Sequence, residues 1–468
     1  MLQALINVFK IAELRNKILF TIAMLGVFRL GHWIPLPGVN GEALQRAAGG
    51  FGEDRGAFGR AADFVAMMSG GALSHSTIFG LGVMPYITAG IIFQLVMSVS
   101  PRLKKLQEEG PTGRQKIQEW TRYATIALCF IQGFGWLQFL NNAKGSTGPL
   151  IYAEYAGNPM WWVMALLALT AGCMFLMWIG EQIDKYGIGN GVSMIIMAGI
   201  LTQLPNAVQW VITNSTGANP QLSLVKVVFL IGCFVLVVAG SVLLTVAQRR
   251  IPVQQAKHTR GRKVFGGQRS YLPLRLNHSG VMPVIFASSL MIFPSVLFGS
   301  LAQGALAGGS GGWWARITGW LANAFHQGEY PYVVLEVLMI YFFSYFWITV
   351  QFNPEEMAKQ LREHGSFIPG LRPGPRTAEY LETVMERITF VGAAFLAILA
   401  TLPMVVSTAL GINATVTQFL GGTGMLIVVS VILDFIQRVE ANLLMRNYAG
   451  FLGGEGTKGP RIQSARSM

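Results

Sequence analysis

Phe64-Val-Ala-Met-Met68-Ser-Gly-Gly71 is a short apolar run that stops at a glycine pair, and a membrane-length apolar run follows it from Ile78. The first run is far too short to cross hydrocarbon, which takes about 20 apolar residues in a helix. Backbone at membrane depth must satisfy its own hydrogen bonds, so a broken half-helix is tolerated only where protein surrounds it or where it lines a cavity. This half-helix ahead of a full span therefore indicates a pore or cavity that a segment of the chain closes.

The composition is typical of a membrane protein with many spans. Hydrophobic residues make up 52% of the chain and charged residues only 12%, against about 25% charged in soluble domains. Residues 1–16 predict an amphipathic interfacial helix, and no cleavable signal peptide is expected ahead of the first span. Apolar runs predict ten spans, which begin near Ile18, Ile78, Tyr123, Met160, Val192, Leu224, Val281, Val333, Ile388 and Thr417.

The distribution of lysine and arginine predicts the orientation. Basic residues accumulate in the loops after even-numbered spans and in the tail at 438–468. By the positive-inside rule these segments are cytoplasmic, so both termini are expected inside. The loop at 353–387 has five basic and six acidic residues, and only the parity of the spans assigns its side.

The predicted spans differ in polarity. Spans two, five and ten contain Gly, Ser, Thr, Asn and Gln, whereas spans four, six and eight are almost uniformly apolar. We expect the first set to face a hydrated interior and the second to face lipid, with close helix packing as the alternative explanation for any single small residue. The uncharged loop at 213–223 separates two sets of five spans, and two five-span repeats would have to be inverted relative to each other.

Two predicted cytoplasmic loops are candidate docking elements. Residues 248–277 carry eight basic side chains and no acidic one, which would suit an acidic protein surface, anionic lipid or ribosomal RNA. In the next loop, Phe367-Ile-Pro-Gly-Leu-Arg-Pro-Gly374 holds Arg372 on a turn stiffened by prolines. Ordinary orientation bias and a plain helix connector are the alternative explanations.

Two other classes of protein remain open at this point. A secondary transporter shares inverted repeats and broken helices but should carry ionisable residues at mid-membrane, whereas Arg29 and Asp434 lie near span ends, where snorkelling explains both. An intramembrane enzyme should show a zinc, Walker or nucleophile-elbow motif, and the sequence contains none of these. Cys129, Cys173 and Cys233 lack metal-ligand spacing, so no metal, disulfide or cofactor is expected.

Seven motifs, in chain order from about Ala12 to Ala449, resemble those of the SecY family of bacterial protein-translocase channels. They are Ser69-Gly-Gly-Ala-Leu-Ser74, Gly82-Val-Met-Pro-Tyr-Ile87, Gly180-Glu-Gln-Ile183, Gly187-Ile-Gly-Asn-Gly191, Val281-Met-Pro-Val-Ile-Phe-Ala287, Phe367-Ile-Pro-Gly-Leu-Arg-Pro-Gly374 and Leu426-Ile-Val-Val429. The resemblance implies an all-α polytopic membrane protein. Its ten transmembrane helices would form two inverted five-helix halves around a central pore with a plug helix.

The resemblance assigns a plug and a pore ring. The plug would occupy residues 64–74 and include Phe64, Val65, Met67, Met68, Ser69, Gly70 and Gly71. The ring would consist of Val83, Ile87, Val192, Ile196, Ile285 and Ile427. Aliphatic side chains can seal around a passing polypeptide without bonding to it, and an empty apolar constriction tends to dewet and block ions. The family usually has isoleucine at the two valine positions, so a slightly wider ring is expected.

The resemblance also implies an exit, docking sites and partners. A lateral gate is expected between spans two and seven, with Gln94 as a candidate hydrogen-bonding residue across the seam. Arg260, Arg262, Lys263 and Arg372 match the family's docking positions for the SecA ATPase and the ribosome. The further implied partners are SecE, SecG, signal-sequence-bearing polypeptides and membrane lipid. The implied function, without enzymatic activity, is passage of unfolded secretory polypeptides across the bacterial cytoplasmic membrane and sideways release of membrane segments into lipid.

These expectations divide the chain into five parts. The predicted parts are an N-terminal segment at 1–16, a first half at 17–212, a connecting loop at 213–223, a second half at 224–437 and a cytoplasmic tail at 438–468.

Overall fold

The computed structural model describes residues 11–41, 76–142, 144–145, 148–152, 154–155, 157–216, 223–255, 258–260, 263–265, 269–278, 280–307, 313–325, 329–410 and 423–452. The helices are α1 (Ala12–Gly31), α2 (Met84–Val99), α3 (Pro101–Glu108), α4 (Pro111–Asn142), α5 (Pro159–Tyr186), α6 (Gly191–Thr216), α7 (Leu224–Val246), α8 (Met282–Ala307), α9 (Trp313–Ala324), α10 (Tyr330–Gln351), α11 (Pro354–Glu363), α12 (Pro375–Leu410) and α13 (Thr423–Leu452). The strands are β1 (Lys144–Gly145), β2 (Gly148–Pro149), β3 (Gln248–Gln255), β4 (His258–Arg260), β5 (Lys263–Phe265), β6 (Arg269–Arg275) and β7 (Ser366–Phe367).

The long helices coincide with the predicted spans. Within the described residues, the stretches long and apolar enough to cross a membrane are Pro159–Tyr186, Gly191–Ser215, Leu224–Val246, Tyr330–Glu363 and Pro375–Val406. Met84–Met97 and Met282–Met291 are shorter apolar helices. The chain is therefore a multi-pass membrane protein, while the count of ten spans stays a prediction.

Burial tests which helices face lipid. Only 22% of the most apolar stretch of α7 and 28% of that of α10 are buried, which confirms the lipid-facing expectation for spans six and eight. Half of the corresponding stretch of α5 is buried, so span four packs on protein on one side, while Val163, Leu167 and Trp178 remain exposed. This helix contacts α1, α4 and α6. Its residues Leu169 and Cys173 pack with Cys129 of α4 in one apolar cluster. Uniform apolarity suits a lipid contact and a helix contact equally well, so composition could not separate the two.

The backbone that leads into α2 is held by the backbone that follows α1. Leu36 N–H donates to the Ser76 carbonyl (2.8 Å) and Ile78 N–H donates to the Ile34 carbonyl (3.1 Å). A turn at Gly82, whose φ of +58° suits glycine, then leads into the helix at Met84. Span two is thus helical later than the start predicted at Ile78. Its 16 residues measure about 24 Å, short of the roughly 30 Å of hydrocarbon.

The two candidate docking loops meet in one small sheet that the sequence analysis did not predict. β3 pairs antiparallel with β6 along its length, and its far end pairs with β7 through Gln254 and Phe367. Ile251, Val253 and Ile368 pack with Leu381 of α12 in a shared apolar cluster. The mixed-charge loop at 353–387 therefore lies on the same side of the molecule as the basic segment at 248–277.

Helix bounds differ from the predicted parts at three places. α1 begins at Ala12, so the end of the predicted N-terminal segment is continuous with the first span. α6 continues to Thr216, inside the predicted connecting loop. α13 runs on to Leu452, inside the predicted tail.

We predict that a methyl group at Gly38 disrupts the packing between the α1–α2 connection and α5. Gly38 has a φ of +83°, and its added Cβ would overlap Trp161, whose Nε1 donates to the Pro37 carbonyl (2.8 Å). Gly38→Ala should lower the apparent melting temperature in detergent by several degrees. Gly157→Ala is the matched control, because Gly157 has a φ of +86° but open space around its Cβ position. Its cost is the backbone penalty alone, about 1–2 kcal/mol, and equal losses in the two variants would refute the packing argument.

Candidate functional site

Four helices bring the six predicted ring residues into one apolar cluster. Val83, Ile196, Ile285 and Ile427 are at most 4% exposed, and Ile87 and Val192 are partly buried against the same cluster. Two of the helices, α2 and α6, come from the first half of the chain, and α8 and α13 come from the second. The cluster therefore joins the two halves through aliphatic side chains.

Local structure explains why two ring residues lie on each first-half helix. Val83 precedes α2 and accepts the Ile87 N–H at its carbonyl (3.1 Å), so the two side chains are one helical turn apart. Val192 and Ile196 have the same spacing at the start of α6. Residues four apart share one face of a helix, so each helix presents a two-residue stripe.

The start of α6 is fixed by side chains that satisfy its free N–H groups. Asp184 Oδ1 accepts from Gly191 N–H (2.7 Å), and Asn190 Oδ1 accepts from Ser193 N–H (3.1 Å). Such contacts stabilise a helix N-terminus, where the first N–H groups have no partner within the helix. They hold Val192 at a defined position in the cluster.

A polar vestibule adjoins the ring. It is a cavity of about 190 Å³ between the start of α6, the segment from β6 to α8, and α13. Met194, Val281 and Val431 line its apolar part and also belong to the ring's cluster. Its charged and hydrogen-bonding side chains are Asn190, Ser193, Thr245, Arg275, Asn277, His278, Ser430, Asp434 and Gln437.

Hydrogen bonds and burial set the electrostatics of the vestibule. Arg275 Nη2 donates to Gln437 Oε1 (3.1 Å), and Arg438 Nε donates to Asp434 Oδ2 (2.8 Å). Burial lowers the pKa of His278, and the charge of Arg275 lowers it further. The His278 ring contacts Phe352 edge-on. Asp434, interpreted from the sequence as a snorkelling residue, forms an ion pair beside the cavity.

An arginine fork braces the first half of the chain. Arg122 of α4 donates from Nε and Nη2 to Glu181 Oε1 of α5 (3.0 and 2.8 Å) and from Nη2 to Glu181 Oε2 (2.7 Å). Tyr86 of α2 lies within electrostatic reach of both side chains. Bidentate pairs of this kind are geometrically specific, so the fork fixes α4 against α5 near the ring. The sequence analysis did not assign this pair, although an ionisable residue within an apolar span was the available signal.

Gln94 lies on α2, as expected for a gate residue, but its Oε1 is buried and accepts no hydrogen bond from the described residues. The hydrogen bond expected across the seam is thus not formed by this oxygen. α2 packs on α4 and α5, whereas α8 packs on α9, α10 and α12. The two predicted gate helices therefore have separate packing partners.

Glu336 is a buried ionisable residue that the sequence analysis overlooked. It lies on α10, is 2% exposed, and its Oε2 has no hydrogen-bond partner among the described residues. Arg29 and Asp434 were therefore not the full set of ionisable candidates for a transporter. No group of three or more His, Cys, Asp or Glu with metal-binding geometry occurs in the described part of the chain.

Some of the remaining predicted site residues lie within the described part of the chain, and others lie outside it. Plug residues 64–74 and Arg262 lie outside the described residues. Arg260 and Lys263 occupy opposing positions at the tip of the β4–β5 hairpin. Arg372 is exposed, and its carbonyl accepts from Thr377 Oγ1 (2.9 Å) in a turn between Gly370 and Gly374, both with positive φ.

Comparison with known proteins gives a consistent result. The SecY family model matches residues 77–436. The chain is 38% identical to the protein translocase subunit SecY of Thermotoga maritima over 454 residues, which cover 97% of this chain and 98% of that protein. It is 40% identical to the protein of the same name from Corynebacterium glutamicum, over 96% of this chain and all of that protein.

Solved structures share the fold at low sequence identity. A structure described as that of a protein conducting channel superimposes with a TM-score of 0.62 at 16% identity, covering 94% of this chain and 95% of the other. A second, of a SecY protein whose plug domain stabilises the closed state, has a TM-score of 0.60 at 16% identity and the same coverages. A third, of Sec61 in a canine ribosome-channel complex, has a TM-score of 0.58 at 15% identity and again the same coverages.

Membrane-length helices whose two halves share an apolar cluster define the class of this protein as an α-helical multi-pass membrane protein, with the fold of the solved channel structures. The family match over most of the chain and the relatives at 38% and 40% identity make the assignment specific. The chain belongs to the SecY family of protein translocase subunits. This assignment replaces the transporter alternative.

We predict that the Arg122–Glu181 fork contributes measurably to stability. Charge-assisted hydrogen bonds contribute about 1.5–3 kcal/mol each when made, and this pair is only partly exposed. A double-mutant cycle with Arg122→Gln and Glu181→Gln in mixed micelles should give a coupling free energy of about 1–3 kcal/mol.

The control cycle uses Lys359 and Glu363, an i,i+4 pair at 4.0 Å whose side chains are 66% and 57% exposed. Solvent screening should limit its coupling to about 0.5 kcal/mol or less. Equal coupling in the two cycles would contradict a bracing role for the fork.

Proposed function

We propose that the chain passes unfolded secretory polypeptides across the bacterial cytoplasmic membrane through the aliphatic ring. The observation that carries the proposal is that one apolar cluster, to which both halves of the chain contribute, contains all six predicted ring residues: Val83, Ile87, Val192, Ile196, Ile285 and Ile427. Side chains without hydrogen-bonding groups do not select among translocating sequences. The adjoining vestibule supplies polar contacts for a chain that arrives hydrated.

Residues 64–74 act as the plug that closes this pore. Two observations support the role. α2 is too short to span hydrocarbon alone, which leaves room for a second element in the same half of the membrane. A SecY protein of the same fold has a plug domain that stabilises its closed state and maintains a membrane seal.

The lateral exit lies between α2 and α8. The separate packing partners of these helices support this location, because the seam between them can open without unpacking either half. Ile92 and Val96 on α2 and Leu290 on α8 are exposed apolar side chains that a membrane segment could contact on leaving. The buried Oε1 of Gln94 accepts no hydrogen bond from the described residues. When the gate opens, water would reach this oxygen.

The sheet of β3, β6 and β7 is the cytoplasmic docking platform, with both chain termini on the same side of the membrane. It carries the β4–β5 hairpin with Arg260, Arg262 and Lys263, and the turn with Arg372 lies beside it. The fold shared with Sec61 in a ribosome-channel complex supports the ribosome as one partner. The SecA ATPase would use the same surface, and SecE and SecG would cover apolar faces of the spans.

The ring assignment predicts an ion leak. In the triple variant I87A/I196A/I427A, loss of aliphatic surface should widen the constriction and hydrate it, so the resting channel should conduct small ions in a planar bilayer with the plug sequence intact. Export of a client with a defective signal sequence should rise, because the closed state is no longer favoured.

The matched control is I179A/I200A/I340A, three isoleucines buried at 0% exposure in the same cluster but not assigned to the ring. Large-to-small changes in a core cost about 2–5 kcal/mol each, so the single pair I196A and I200A on α6 serves if a triple variant fails to fold. A leak of equal size in ring and control variants would mean that the ring residues are ordinary packing aliphatics.

The docking assignment predicts a salt-dependent loss of partner binding. R260E/R262E/K263E reverses the field at the hairpin tip and should weaken binding of the SecA ATPase and of ribosomes severalfold, most strongly at low ionic strength. K359E on α11 changes an exposed charge that is not part of the hairpin and is the control. Unchanged affinity in the hairpin variant, measured with proteoliposomes, would contradict the assignment.

A further inference from the structure

α9 is a short helix that joins two membrane helices. It follows α8 after residues 308–312 and precedes α10 by a similar distance. Five residues reach at most about 17 Å, so α9 stays close to the membrane boundary. It lies at the ends of α8 and α10 opposite the β3–β6–β7 sheet, since β6 precedes α8 and α11 follows α10.

One side of α9 packs on protein. Thr318 is 2% exposed, and its Oγ1 donates to the Trp314 carbonyl (2.9 Å). The helix contacts α8 along this side, and Phe325 at its end contacts Phe298 of α8 with ring centroids 5.0 Å apart. The small residues Ala315 and Ala322 lie near the same side at about 100° per residue. α9 is therefore fixed to the far end of α8.

A second side of α9 is aromatic, aliphatic and uncovered. Trp313, Ile317 and Trp320 form an i, i+4, i+7 stripe and are 72%, 42% and 67% exposed. Trp314 beside them is 50% exposed. A third side carries Arg316 and Asn323, both exposed. The helix thus separates protein, apolar and polar contacts onto three sides.

Three sides of this kind match a helix that lies in the plane of a membrane interface. Tryptophan is enriched at the boundary between headgroups and acyl chains, where its apolar ring and its N–H are both satisfied. Arginine on the adjoining side suits phosphate groups and water. α10, which α9 contacts, also exposes apolar side chains near its start, Tyr330 and Val334.

We propose that α9 is a membrane-interface anchor. Trp313, Ile317 and Trp320 enter the headgroup-acyl boundary of the leaflet opposite the basic sheet, and Arg316 and Asn323 face the polar headgroups. Because α9 is packed on α8, the anchor holds that end of α8 at a fixed depth. The inference rests on the chain being a membrane protein and is independent of the ring and of the docking platform.

Spin labels at two positions on α9 test the proposal. I317C and N323C are each made in a C233A background and labelled with a nitroxide, while Cys129 and Cys173 remain because both are buried. In lipid nanodiscs, the label at 317 should collide freely with oxygen and several-fold less often with a water-soluble nickel chelate than the label at 323. Equal nickel accessibility at the two positions would overturn the proposal. Shielding of 317 from both reagents would also overturn it, because protein would then cover the stripe.

Fluorescence of the otherwise unaltered chain gives a second measurement. W313F/W314F/W320F keeps aromatic bulk and removes three of the 11 tryptophans. Phospholipids brominated near the headgroup should quench the parent protein more than this variant, whereas deeply placed bromines should quench both to similar fractions. An unchanged shallow-quenching fraction would show that these tryptophans do not lie at the interface.

Discussion

The structure depends on the absence of hydrogen-bond partners in hydrocarbon. A chain that breaks its helix at membrane depth must find backbone partners within the protein. Here Ile34 and Leu36 provide them for the segment that leads into α2, which begins only at Met84. This late start places Val83 and Ile87 at the first turn of α2, where both belong to the apolar cluster that residues of α6, α8 and α13 also enter. The contribution of α2 to that cluster is a consequence of the interrupted helix.

The ring and the vestibule place two different environments next to each other. In the ring, side chains without polar groups pack together, so contacts are weak individually and easily exchanged. In the vestibule, Arg275 and Asp434 take part in directional hydrogen bonds. The Arg122–Glu181 fork lies outside both and holds α4 to α5. The first half therefore has a stiffened interior, and its boundary with the second half is a mostly apolar contact.

The sequence predicted the membrane class and the order of the long helices, because long apolar runs and family motifs are local signals. The six residues assigned to the ring belong to one apolar cluster, and their role as a pore ring stays a prediction. The sequence could not separate the buried side of α5 from its exposed side, since Leu169 buried against helices and a leucine facing lipid have the same composition. It did not predict the pairing of Gln254 with Phe367, which joins segments distant in the chain and leaves no periodic pattern in a two-residue strand. It also missed Glu336 and Glu181, because a single carboxylate hardly lowers the hydropathy of a long apolar helix.

The small sheet has a mechanical consequence. Ile251 and Val253 of β3 pack against Leu381 of α12. β3 pairs with β6 at one edge and with β7 at the other. A force applied at the tip of the β4–β5 hairpin is therefore transmitted to α12. This helix has 36 residues, and its most apolar stretch is half buried. α8 is joined to the sheet by the short link after Arg275, and it also packs on α12. A displacement of the sheet can therefore reach α8 by two routes, along the chain and across its packing contact with α12.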